Sequence, residues 1–364
     1  LKGFFIRGKR SIVVVGTHGK TTTTSLLTWV FEHNGLNPSY MLGGVPNNLQ
    51  QGARFTDSEW FIIEGDEYDT AFFDKRSKFV HYLPEIGVIN NLEFDHADIF
   101  EDLAAIRKSF GHFIRLVPNN GLLLANGDDR NLAELLDVDF CPIRRFGLGE
   151  ENELRAAGVT YGGQGSEFYL GETAFTVPLL GEFNVRNAVA VAAASREAGL
   201  SDGQIQAAFS TFKGIKRRME VVGESGGGTV IDDFGHHPTA IRETLMALRQ
   251  RFTGRRLWAI FEPRSNTTRR NVFQRELADA LGHADLAVVA EVDRLDRVPE
   301  SQRLDPAALM DALEASGTRA AYLPTVEAIV GRVLDESLSG DVVCVFSNGG
   351  FGGLHQKLLE SLRG

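Results

Sequence analysis

Short runs of aliphatic and β-branched residues alternate along this chain with stretches whose apolar positions recur at helical spacing, which is the pattern of α/β layers. The first such unit is the sharpest. Ile12 to Val15 is continuously apolar, as expected of a strand buried on both faces, and it runs into the turn Gly16-Thr17-His18-Gly19. A helix follows from about Lys20, with Leu26, Leu27, Val30 and Phe31 on one face and Gly35 placed to end it in a left-handed cap. Further strands are predicted over Trp60 to Glu64, Ile86 to Asn90 and Leu122 to Ala125, separated by polar or helical segments, so the sheet is expected to be mostly parallel. Gly162 to Gly171 reads as one or two hairpins, and the Ala-rich segment from Val185 to Ala198 as a closely packed helix.

After the turn Lys213-Gly214 the pattern restarts. A strand is expected near Thr229-Val230-Ile231, then a helix beginning near Pro238 with Ile241, Leu245, Leu248 and Phe252 on its apolar face. Strands at Leu257 to Phe261, Leu286 to Ala290 and Val342 to Phe346 alternate with helices, which predicts a second α/β domain of Rossmann-like type. The expected division is therefore 1–213 and 214–364, and a chain of 364 residues and 40.0 kDa is long enough for two cores.

Composition narrows the function classes. Hydrophobic residues make up 43% and charged residues 24%, as in a globular protein rather than a disordered one. The net charge of -10 opposes the broad basic footprint that duplex nucleic acid requires, so any anion is expected to be bound locally. The apolar runs are strand length, which predicts no membrane span, and the two separated cysteines, Cys141 and Cys344, fit a reduced, cytoplasmic compartment. The chain starts at Leu1 rather than Met, so sequence upstream of it is expected.

Gly16-Thr17-His18-Gly19-Lys20-Thr21-Thr22 lies between a buried strand and a helix, where backbone N–H groups and a helix N-terminus can wrap phosphate oxygens. It is a shortened P-loop, in which Lys20 would reach the terminal phosphates and Thr21 a Mg²⁺ ion. Glu64 ends the strand Trp60-Phe61-Ile62-Ile63, and Asp66, Glu67 and Asp69 follow, so carboxylates emerge at the strand's carboxyl end, where α/β proteins hold ligands. A Mg²⁺ ligand and a solvated acidic turn are both compatible with that run. The polar cluster Asn91-Leu92-Glu93-Phe94-Asp95-His96-Ala97-Asp98 follows another buried strand, and by chemistry alone His96 reads as a turn residue, since Mg²⁺ prefers oxygen.

Four segments taken together resemble the Mur ligase family: the Gly16 to Thr22 loop, Ile63-Glu64-Gly65-Asp66-Glu67-Tyr68-Asp69, Asn91 to Asp98, and Asp232-Asp233-Phe234-Gly235-His236-His237-Pro238. Tyr68 to Phe79, Glu262-Pro263-Arg264-Ser265-Asn266-Thr267 and Ser347 to Gly353 resemble the branch that joins the tripeptide L-Ala-γ-D-Glu-meso-diaminopimelate to UDP-N-acetylmuramate, rather than the branch that adds L-alanine. The resemblance implies a P-loop central ATPase domain with a mostly parallel sheet, followed by a Rossmann-like C-terminal domain that binds the acceptor. It also implies that ATP and Mg²⁺ are used and that an acyl phosphate is formed. Lys20, Arg218 and His96 are implied as catalytic, and Thr21, Glu64 and His96 as Mg²⁺ ligands.

By the same resemblance Asn184 and Asn187 contact adenine, Asp233 holds the ribose, and Arg218 reaches across a domain cleft to the γ-phosphate. From the residues alone, Asn184 is equally a helix cap and Arg218 part of a surface basic run. Arg264, Ser265, Asn266, Ser347 and Asn348 are implied as substrate-binding, with Arg264 supplying a fork for the diaminopimelate carboxylate. Arg107 stands nearest the position at which several members carry a carbamylated lysine, with Lys108 beside it, so no carbamylation is expected. Family members begin with a domain of roughly a hundred residues for the UDP moiety, and the resemblance implies that this part lies mostly outside the present sequence. L-alanine addition, and a nucleotide switch driving partner binding, are the competing readings.

Overall fold

The structure, a computed structural model, describes residues 2–292 and 294–362, so Leu1, on which the expectation of upstream sequence rests, lies outside the described residues. The chain divides into two compact units, 1–216 and 217–364.

In the first unit the chain forms β1 (Arg10–Val15), α1 (Lys20–His33), β2 (Ser39–Met41), β3 (Ala53–Arg54), β4 (Trp60–Glu64), and a small separate hairpin of β5 (Asp69–Ala71) and β6 (Asp74–Ser77). It continues through β7 (Ile86–Ile89), α2 (Leu103–Ile114), β8 (Leu122–Asn126), β9 (Ile143–Gly147), β10 (Leu154–Gly162), β11 (Gly165–Leu170), β12 (Thr173–Val177), α3 (Glu182–Glu197) and α4 (Asp202–Ser210). Ten strands make one sheet in the order β12-β11-β10-β9-β8-β7-β1-β4-β2-β3, parallel from β10 to β2 and antiparallel only at its two margins. β1 is central, which is why its apolar run shows no alternation. Ile12 and Val14 pack with Leu26, Val30 and the alanines of α3 on one face, whereas Val13 and Val15 pack with Phe61, Phe79 and Phe113 on the other.

α1 buries an unusual run of hydroxyls, Thr21 to Ser25 and Thr28. Two of them return to the helix's own carbonyls, Thr24 to Lys20 at 2.8 Å and Thr28 to Thr24 at 2.7 Å, which removes most of their desolvation cost. Gly35 at φ 75° closes this helix, as its position predicts. α3 starts three residues earlier than the alanine pattern indicates, because Gly181 at φ 86° takes the N-cap position and admits Glu182, Phe183 and Asn184 into the first turn. Asn184 is therefore not the cap. Its amide donates to the Leu180 carbonyl at 2.8 Å from inside the helix.

The second unit contains β13 (Glu220–Ser225), β14 (Gly228–Asp233), α5 (Pro238–Arg251), β15 (Leu257–Phe261), α6 (Gln274–Leu281), β16 (Leu286–Ala290), α7 (Pro306–Ala315), β17 (Arg319–Leu323), α8 (Val326–Glu336), β18 (Val342–Phe346) and α9 (Leu354–Ser361). Its sheet runs β13-β14-β18-β15-β16-β17, all parallel except the β13–β14 hairpin, with helices covering both faces. The expected Rossmann-like layering is thus present. Cys141 and Cys344 are both free and buried. Among the described residues no helix is long and apolar enough to cross a membrane.

One carboxylate ties the second sheet together at its amino edge. Asp341, just before β18, takes two bonds from Arg256 at 2.9 and 2.7 Å, one from the buried Trp258 indole at 2.8 Å, and one from the Leu338 N–H at 3.0 Å. Burial acts to raise its pKa, but these donors outweigh burial and hold it below the usual carboxylate range. Asp341→Asn is expected to lower unfolding free energy by about 2–3 kcal/mol, since it strands a guanidinium and an indole. Because the folded pKa is depressed, the native contribution is complete above the ordinary carboxylate range and disappears as pH falls through the folded value. Urea unfolding of the native chain and the variant at pH 7 and pH 3 checks this, with the gap between them expected to narrow at the lower pH.

Candidate active site

The loops that leave β1, β4 and β7 emerge side by side, because these three strands are adjacent, parallel and in register: Val14 pairs with both Glu64 and Val88. The first loop is Gly16 to Gly19. Gly16 (φ 145°) leaves no room for a side chain, since a Cβ would lie 3.0 Å from the Asn90 Cβ. Gly19 (φ 78°) is the N-cap of α1, has no capping side chain, and would put a Cβ 2.7 Å from Asn187 Oδ1. An uncapped helix start with a bare backbone in front of it suits a polyanion.

The loop is pinned by the two asparagines that directly follow β7. Asn91 accepts the Thr17 N–H on its carbonyl at 3.2 Å and the His18 N–H on its side-chain oxygen at 2.7 Å. Asn90 donates to Thr23 Oγ1 at 2.9 Å and to Asn187 Oδ1 at 3.4 Å, while the Asn187 amide donates to Asn184 Oδ1 at 3.1 Å. Asn184 and Asn187 are both buried. The structure thus brings Asn187, and through it Asn184, to the loop from a segment far along the chain. His18 lies 3.3 Å from Glu93, and Thr22 is buried in the first turn of α1.

Two carboxylates from β4 and its loop divide the remaining polar groups. Glu64 accepts from the Thr21 hydroxyl at 3.0 Å and from the Gly43 N–H at 2.6 Å. Glu67, 4% exposed, receives Lys20 on both oxygens, at 3.0 and 2.8 Å, and lies 2.9 Å from His96 Nε2. Burial opposes all three charges, but mutual attraction prevails: Lys20 and His96 are raised above their ordinary values and Glu67 is lowered. His96 adopts φ 55°, uncommon for a non-glycine residue, and its ring packs on Tyr68 with centroids 4.2 Å apart. Arg107 lies on α2 and donates to Asn131 at 3.2 Å, with Lys108 exposed beside it.

In the second unit the named residues gather at the carboxyl ends of β14, β15 and β18. Asp233 is buried and accepts from the N–H groups of Met219 at 2.8 Å and Gly235 at 2.7 Å; burial raises its pKa against the pull of Arg218. The Arg218 guanidinium lies 4.8 Å from the Phe234 ring centroid. Arg264 is half-exposed, 3.8 Å from Glu262, and covers Gly349, where a Cβ would meet its Nη1 at 2.4 Å. Ser347 donates to Glu262 and accepts from the Gly349 N–H at 2.9 Å, whereas Ser265 is spent locally on Thr268. Asn266 is exposed and Asn348 half-buried.

Comparison with known proteins decides the family. Residues 14–195 match the Mur ligase middle domain and residues 217–349 match the Mur ligase, glutamate ligase domain. The chain belongs to the Mur ligase family. It is 41% identical over 366 residues to the UDP-N-acetylmuramate–L-alanyl-γ-D-glutamyl-meso-2,6-diaminoheptandioate ligase of Escherichia coli, covering 100% of this chain and 78% of that protein. It is 34% identical over 370 residues to a UDP-N-acetylmuramate–L-alanine ligase of Polaromonas, covering 98% and 77%. The crystal structure of a murein peptide ligase from Psychrobacter arcticus superposes with a TM-score of 0.74 at 34% identity, covering 99% of this chain and 78% of that one.

Thr21 and Glu64 offer hard oxygens on adjacent secondary elements, the donor type that magnesium takes. His96 fits less directly, because it offers nitrogen and its Nε2 is engaged with Glu67. Residue-type reasoning missed the central position of Glu67: three acids follow Glu64 within five residues, and spacing does not reveal which of them turns inward. It also missed Asn90 and Asn91, whose only signal is their place at the end of a buried strand.

Gly19→Ala is expected to cost about 1–2 kcal/mol for the left-handed conformation alone, with the clash at Asn187 added. Thermal unfolding should reveal the loss, and nucleotide binding should fall with it.

Proposed function

We propose that this chain catalyses the ATP-dependent joining of the tripeptide L-Ala-γ-D-Glu-meso-diaminopimelate to UDP-N-acetylmuramate, in the recycling of cell-wall peptides in the cytoplasm. The observation that carries the reading is a glycine cradle and helix start built around Lys20, in a chain 41% identical to a ligase named for that reaction. Residues 1–213 are proposed as the ATP-binding part and 214–364 as the acceptor-binding part.

In this reading the lactoyl carboxylate takes the γ-phosphoryl group of ATP, forming an acyl phosphate and ADP. The free amine of the tripeptide, having lost a proton, attacks the acyl carbon, and inorganic phosphate leaves as the amide forms. Phosphoryl transfer requires alignment and neutralised charge more than covalent help. Lys20 would supply a half-buried cation at the loop, and the start of α1, which has no side-chain cap, would present its N–H groups to the same ligand. Thr21 and Glu64, with His96, would hold magnesium, which when bound neutralises phosphate oxygens. Gly16 to Thr22 with Asn184 and Asn187 form the proposed nucleotide site, and the nucleotide roles of Arg218 and Asp233 rest on the family resemblance. For the acceptor, Arg264 is proposed to take a carboxylate of the peptide, with Ser265, Asn266, Ser347 and Asn348 around it.

ADP release should depend on both UDP-N-acetylmuramate and the tripeptide. Release driven by free L-alanine instead would assign the chain to the other branch, and hydrolysis indifferent to both acceptors would favour a nucleotide switch. Lys20→Ala is expected to abolish turnover. Arg264→Ala is expected to raise the KM for the tripeptide by about 10–100-fold, the worth of a charge-assisted hydrogen bond, with a smaller effect on kcat. An unchanged KM would remove Arg264 from the acceptor site.

A further inference from the structure

The turn that follows β18 is built around one guanidinium. Nη2 of Arg217 donates to the Ser347 carbonyl at 2.6 Å and to the Gly349 carbonyl at 2.7 Å, so a single nitrogen holds the carbonyls on both sides of Asn348. Behind it, Nε donates to Asp232 Oδ2 at 3.2 Å, and Asp232 Oδ1 lies 3.2 Å from His355 Nε2 on α9. The guanidinium is thereby fixed between the end of β14 and the turn. A planar fork makes this set of bonds at once, and the point charge of a lysine does not reproduce it.

Arg217 is itself held in an uncommon conformation. Its φ is 62°, yet its N–H donates to Glu220 at 2.7 Å and its carbonyl accepts the Phe234 N–H at 2.8 Å. Surroundings that over-determine a strained backbone in this way are common where a side chain has to be placed.

The same turn supports Arg264. Ser347 Oγ accepts the Gly349 N–H at 2.9 Å and donates to Glu262, which ties Gly349 to the strand ends. The Arg264 guanidinium lies over Gly349, where a Cβ would sit 2.4 Å from Nη1 and 2.6 Å from Cζ. Glu262, 3.8 Å away, is beyond hydrogen-bond distance of it. The surface of the turn, rather than a close ion pair, therefore decides where this fork stands.

We propose that Arg217 is a positioning residue for the acceptor: by tying the Ser347 and Gly349 carbonyls it sets the place of Gly349, and with it the place at which Arg264 offers its fork to a peptide carboxylate. The proposal deepens the acceptor-site reading of Arg264 and rests on it. The effect of Arg217 on the peptide passes through Arg264.

The test is a double-mutant cycle on the full chain, with the dissociation constant of the tripeptide measured by calorimetry. Arg217→Lys keeps the charge and loses the fork, and is expected to weaken tripeptide binding by about tenfold. In turnover the same factor is expected in KM for the tripeptide, with kcat within about twofold. In an Arg264→Ala background Arg217→Lys is expected to weaken binding no further, whereas general damage to the fold would add to the loss. Asp232→Asn, which releases the guanidinium from behind, guards against a lysine variant that does not fold and should weaken binding by about threefold, again only while Arg264 is present. Unchanged tripeptide affinity in the folded variants, equal weakening with and without Arg264, or a loss carried by kcat would overturn the proposal and leave the acceptor site intact. An unaltered chain that binds no tripeptide, or an Arg264→Ala chain that binds it as tightly as the unaltered one, would overturn the acceptor-site reading, and this proposal with it.

Discussion

The first unit's chemistry depends on the parallel register of three strands. Val14 of β1 faces Glu64 of β4 on one side and Val88 of β7 on the other, so the loops after all three strands start at one level. A slip of one residue would reverse the face of every side chain in the moved strand, exchanging the core that contains Val14 for the one that contains Val15. Both cores are fully buried at β1, so no such slip is tolerated. The position of Glu64 beside Thr21 is therefore fixed by the hydrophobic pairing of β1 with β4 that runs up to Glu64 itself.

Much of this was legible from local pattern. A continuous β-branched strand, a glycine turn and a helical apolar face are each strong signals, and together they placed the Gly16 to Gly19 loop and both α/β layers. Elements that escaped have weak local character: β2 spans only Ser39–Met41, β9 carries two consecutive arginines, and β17 at the sheet margin has no fully buried side chain. The start of α3 escaped because alanine content marks where a helix is comfortable, whereas Gly181 marks where it begins.

Within the site, the legible part was backbone and the illegible part was side-chain pairing. Gly16 and Gly19 announce themselves because only glycine tolerates their conformation and surroundings. Glu67 does not, because Asp66, Glu67 and Asp69 are chemically alike, and which one turns inward depends on Lys20 and His96, 47 and 29 residues away. The same applies to Asn187, which meets Asn90 across a separation of 97 residues. Ser265 shows the converse, since its motif suggests a ligand contact while its hydroxyl closes a local turn with Thr268.

Charges taken out of water have to be paired within the fold itself, and that requirement accounts for the polar groups around Lys20. A lysine lodged among buried threonines needs an anion at all times, because uncompensated burial would either deprotonate it or open the loop. Glu67 meets that need, and, buried itself, it also has His96 Nε2 2.9 Å from one of its oxygens. The net charge of -10 therefore carries little information about this site. What matters is the local order, with the Glu67 carboxylate lying between Lys20 and His96 and in contact with both.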